Sequence, residues 1–148
     1  MNKRAQMSLI AIGVVCVISA AFGLFYNFST LTVALSRAFP TDKDSPYFYQ
    51  AFYTMSSVCI LCYLLLFCCG VAFLRRSVRL VWLFVSLMIF EVIYFFSLGF
   101  FLWPMPQLGL SIAGATGVAN GGLMAQFLIL FPLWGSILAI WAKRHLQS

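Results

Sequence analysis

Charge is what this chain has least of. Asp, Glu, Lys and Arg make up 8% of its 148 residues, against about 25% in ordinary soluble domains. The acids are only Asp42, Asp44 and Glu91, and His145 is the one histidine. With so few donors, the sequence offers no His/Cys/Asp/Glu cluster for a metal and no hydrolase triad. It also has no Gly-rich phosphate loop between strand and helix. Soluble-type catalysis has no residues to work with, so no catalytic residue is assigned and no cofactor or metal is expected.

What the chain has instead is apolar surface, with 64% hydrophobic and 18% aromatic residues. Disordered chains are poor in both classes. A soluble chain of this size buries only about two-thirds of its surface on folding. A soluble monomer is therefore excluded, and lipid must do part of the covering.

Crossing the hydrocarbon core takes about 20 mostly apolar residues. Four windows meet that length: 7–28, 51–74, 80–103 and 121–142. Each is expected to be helical, because lipid offers no partner to an unpaired backbone N–H or C=O. The expected fold is therefore an all-α, four-helix transmembrane bundle forming one domain. Met1–Gln6 and the small residues Ser19-Ala20-Ala21 have the form of a secretory signal. The apolar run continues through Phe25, however, so a span is the reading adopted.

The net charge is +6. The basic residues sit at the ends of apolar runs, which points to lipid headgroups and topology rather than to nucleic acid. Lys3, Arg4, Arg75, Arg76, Arg79, Lys143 and Arg144 fall on one side, and Arg37 and Lys43 on the other. Both termini and the turn Arg75–Arg79 are then expected in the cytoplasm, in a plasma or bacterial inner membrane. Trp82 and Trp141 agree with this at the inner boundary, as do Tyr26, Tyr47, Tyr49, Tyr53 and Trp103 at the outer one.

Two outer segments follow from this topology. In the first, Leu31, Val33, Leu35 and Phe39 either lie in the interface or extend the first helix. The acceptor triplet Asn27-Phe28-Ser29 lies at the membrane boundary and is read as chance. In the second, Gly109, Ala113, Gly117, Gly121 and Ala125 recur at every fourth position. That spacing puts small residues on one helical face and lets another helix approach closely.

Glu91 is the one ionisable residue in the middle of a span, eleven residues past Leu80 and twelve before Trp103. A carboxylate there is costly, so it is expected to face the bundle interior, where it finds a partner or stays protonated. Tyr63, Cys62 and Ser19 lie at similar depth on neighbouring spans. Pro132 frees the Leu128 carbonyl one turn outward, and Gln126 lies farther out. This polar set is either interhelical hydrogen-bonding glue or a relay for protons or cations.

All five cysteines lie within or at the edge of a span, so no extracellular disulfide framework is available. Cys59-Ile60-Leu61-Cys62 has CxxC spacing, and with the helix count it resembles the quinone-linked, disulfide-generating four-helix enzymes. That resemblance implies redox chemistry at Cys59 and Cys62. The second outer cysteine pair and the basic residue for the quinone have no counterpart here. Small size, four spans and basic charge also resemble the membrane glutathione-transferase group, in architecture alone.

The leading expectation is a non-catalytic integral membrane protein that packs against a second copy of itself or a larger membrane protein. One alternative is an oligomeric transporter or channel subunit using Glu91. The other is a membrane thiol oxidoreductase using Cys59 and Cys62.

Overall fold

A computed structural model describes residues 3–35, 48–101 and 123–147, and every secondary-structure element among them is an α-helix. These are α1 (Lys3–Leu35), α2 (Phe48–Leu74), α3 (Val81–Phe101) and α4 (Leu123–Gln147). Each expected window falls on one helix. The first outer segment differs in its beginning, because α1 runs on through Leu31, Val33 and Leu35 without a break. At 33 residues, α1 is about 50 Å long.

Within α1, Asn27 Nδ2 donates to the Gly23 carbonyl at 2.8 Å, and Thr32 Oγ1 donates to the Phe28 carbonyl at 2.8 Å. The triplet Asn27-Phe28-Ser29 is thus part of a continuous helix. Pro132 lies inside α4, and the helix carries through it.

Among the described residues, two helical stretches are long and apolar enough to cross a membrane, Lys3–Ser29 and Ser57–Leu74, with mean hydropathy 2.5 and 2.6. Val81–Ile93 is a shorter apolar helix.

α1 and α2 run antiparallel and pack tightly. A methyl built on Gly13 would stand 3.0 Å from the Gly70 carbonyl oxygen and 3.0 Å from the Leu74 nitrogen. One built on Gly70 would stand 2.8 Å from Val17 Cγ2 and 3.0 Å from Cys16 Cβ. Farther along, the Tyr63 ring lies over Gly23, in space that a side chain at that position would fill. Glycine is required at this crossing because the backbones themselves are in contact.

The core draws on all four helices. α1 contributes Ala5, Leu9, Ile12, Cys16 and Ala20, and α2 contributes Leu66, Cys69 and Phe73. Val81, Phe84 and Met88 come from α3, and Phe131, Ala139 and Ala142 from α4. With the buried Gly135 between Phe131 and Ala139, the steps of three and four residues along each helix mark a single inward stripe. Edge-to-face aromatic contacts tie three helices together: Phe73 to Phe84 at 5.5 Å, Phe84 to Phe131 at 5.8 Å, and Phe131 to Trp134 at 4.8 Å between centroids. Such geometry sets the positive ring edge against the negative ring face.

α2 ends in a Schellman turn. The Arg76 N–H donates to the Phe73 carbonyl at 2.9 Å, and the Ser77 N–H donates to the Ala72 carbonyl at 2.9 Å. These bonds satisfy carbonyls that the helix end leaves open. Arg76 occupies the left-handed position, with φ of 60°, where glycine is the favoured residue. The chain then re-enters helix at α3, whose Phe84 N–H donates to the Leu80 carbonyl at 2.9 Å.

Candidate functional site

Glu91 is half-buried on α3, three residues beyond the buried Met88. Its carboxylate lies within electrostatic reach of Tyr63 and Cys62 on α2 and of Cys16 on α1. Three helices therefore bring one acid, one phenol and two thiols into a single neighbourhood.

Tyr63 is held in place by the flat surface at Gly23. Ser19 is half-buried on α1, but nothing brings its hydroxyl to Glu91. Gln126 belongs to α4, and its side chain lies outside the described residues.

Sequence reading placed Glu91, Tyr63, Cys62 and Ser19 at similar depth on neighbouring spans and did not consider Cys16. The missing signal was in α1 itself, where Gly13, Cys16, Ala20 and Gly23 recur at steps of three and four. That stripe of small residues marks the face on which α2 lies.

Chemically, the neighbourhood suits hydrogen bonding between helices. A phenol donates to a carboxylate, and a protonated carboxyl can donate in turn. Cys59 and Cys62, also considered for redox chemistry, are half-buried on one face of α2, and neither is in a disulfide. Cys62 lies within electrostatic reach of Glu91. Among the described residues, no group of three or more His, Cys, Asp or Glu is placed to hold a metal ion.

Of the small-residue strip, Gly109, Ala113, Gly117 and Gly121 lie outside the described residues, and Ala125 is in α4 with its side chain undescribed. The close helix crossing that is observed is built from Gly13 and Gly70 instead.

The opposite end of this site is basic and aromatic. Lys143 Nζ of α4 stands 4.9 Å from the ring centroid of Trp82 at the start of α3. His145 Nδ1 lies 2.9 Å from the Trp141 carbonyl, and the two rings lie tilted by 37° with centroids 4.6 Å apart. Because the carbonyl can only accept, His145 carries its proton on Nδ1 in this bond. The turn carrying Arg75, Arg76 and Arg79 leads directly into Trp82. The antiparallel pairing of α1 with α2 points the Lys3 end of α1 the same way. No protein-family model matches the chain, and comparisons with curated proteins and with solved structures return no match.

Proposed function

We propose that this chain is a non-catalytic integral membrane protein of four spanning helices, with its basic end and both tails on the cytoplasmic side. It acts through helix contacts with a second copy of itself or with a larger membrane protein. The observation that carries this reading is the outward face of α3 around Glu91. Ile89, Phe90, Val92 and Ile93 are all exposed on both flanks of that acid, with Ile89 and Ile93 more than half accessible.

Water is a poor neighbour for such a surface, and a partner helix or acyl chains fit it. α1 has the same character. Met7, Ile18, Phe22 and Phe25 point outward, and each is more than 60% accessible, while Ala5, Leu9, Ile12, Cys16 and Ala20 point inward. On this reading, Glu91 and Tyr63 tie α3 to α2 at mid-membrane depth.

Two measurements on the intact chain test the proposal. Carbonate washing of membranes should leave the protein in the pellet. Crosslinking, with native mass measurement in lipid, should give a dimer, a higher oligomer or a defined hetero-complex. Release into the wash, or a protein that stays monomeric and uncrosslinked, would overturn it.

The convergence of Glu91, Tyr63 and Cys62 also supports a second reading, an oligomeric transporter or channel subunit that couples protons or cations at Glu91. Its mark is a proton-dependent flux in vesicles that Glu91→Gln abolishes at unchanged protein level.

A further inference from the structure

The last turns of α2 form one wall of an open-sided groove of about 430 Å³ that the Glu91 neighbourhood does not use. Phe67, Cys68, Val71 and Ala72 line its length, and Arg75 and Ser77 close its end. Phe67 and Cys68 are exposed, so the groove opens outward from the helices rather than into the core.

We propose that this groove holds one anionic phospholipid. Its headgroup phosphate sits at Arg75 and Ser77, and an acyl chain lies along Phe67, Cys68, Val71 and Ala72. This inference rests on the membrane reading above and adds a ligand to it.

The charge of the turn is the first argument. Arg75, Arg76 and Arg79 fall within five residues, and the sequence has no acid between Pro46 and Phe90 to neutralise them. A guanidinium presents a planar fork of donors that matches a phosphate. The hydroxyl of Ser77 accepts from the Arg79 N–H at 3.5 Å, which leaves its own proton free to donate.

The shape of the groove gives a second argument. The apolar length of the groove then selects a lipid over a free phosphate. A soluble anion would meet the arginines and leave the walls formed by Phe67, Val71 and Ala72 bare.

The test uses the full chain in nanodiscs of equimolar phosphatidylglycerol and phosphatidylcholine, released gently and weighed by native mass spectrometry. Phosphatidylglycerol should be retained in excess over phosphatidylcholine. Arg75→Gln should cut that excess about fivefold, and Val71→Trp should remove it by filling the groove at unchanged charge. Arg144→Gln, basic but outside the groove, should leave it unaltered.

Equal retention of the two lipids, or equal losses in Arg75→Gln and Arg144→Gln, would overturn the proposal. So would an acyl thioester on Cys68, which would place the chain's own modification in the groove. Carbonate extraction of the same variants separates the two claims. Protein that stays in the membrane without lipid preference defeats the lipid site alone, and protein washed free defeats the membrane reading as well.

Discussion

Gly13 and Gly70 meet backbone to backbone where α1 crosses α2, with 3.0 Å between a methyl built on the first and the carbonyl oxygen of the second. Nothing at that distance can yield, because the obstacle is main chain rather than a flexible side chain. On the membrane reading the crossing is held by packing, since lipid tails are as apolar as leucine and supply no hydrophobic drive between helices. Removing that packing should therefore loosen the pair directly.

Gly70→Leu should destabilise the protein by roughly 1–3 kcal/mol, the usual cost of overpacking a well-filled contact. Gly13→Val should do the same. Unfolding in mixed detergent micelles, followed by tryptophan fluorescence, measures both. Wild-type stability in either variant would show that α1 and α2 do not cross at these glycines.

The turn after α2 predicts the opposite sign. Arg76 has φ of 60°, and replacing a non-glycine residue in this region by glycine relieves a strain of about 1 kcal/mol. Arg76→Gly should be more stable than the wild type by up to that amount in the same titration. Arg76→Val should be less stable, because its branched Cβ suits this region poorly.

Phe84 is fully buried and touches both Phe73 and Phe131. Phe84→Ala should cost roughly 2–3 kcal/mol, below the 3–5 of a water-soluble core because the transfer contribution shrinks in lipid. Phe84→Leu, which keeps most of the volume, should lose less than half as much. Thermal unfolding of the two variants side by side reads the difference.

Glu91→Gln should leave the fold and the assembly intact, since an amide still hydrogen-bonds at the same place. Glu91→Lys introduces a charge of the other sign at the same depth, which should cut membrane-fraction yield and oligomer together. Size-exclusion profiles of the two variants check this. An oligomer lost in Glu91→Gln would mean that the ionised carboxylate itself is required.

Lys143 over Trp82 ties the end of α4 to the start of α3. Lys143→Met keeps most of the aliphatic stem and removes the charge. It should cost about 0.5–1 kcal/mol, whereas Lys143→Arg should retain the contact. Fluorescence of Trp82 in the two variants, with the other tryptophans replaced by Phe, follows it.

The sequence was legible wherever length and charge position carry the signal. The four windows came from the run length needed to span lipid, and each coincides with one of the four described helices. The turn Arg75–Arg79 was visible as a basic interruption between two apolar runs, and it is a turn in the structure. Glu91, Tyr63, Cys62 and Ser19 were placed at similar depth by counting along the helices, and Tyr63 and Cys62 lie within electrostatic reach of Glu91. Cys16 was overlooked because depth alone does not say which face of α1 points inward.

Sequence alone therefore determined that the described residues are helical, which apolar runs the four described helices cover, and which basic residues flank them. These are one-dimensional properties, set by the hydrogen-bonding demands of the backbone and by where charge interrupts apolar runs. Tertiary structure decided which faces meet: Gly13 on Gly70, Tyr63 on Gly23, Phe84 between Phe73 and Phe131. The physical reason is that these helices are apolar all round, so hydrophobicity marks no inward stripe. Glycines mark the crossing of α1 with α2 instead, and they act only once two helices are close enough for their backbones to touch.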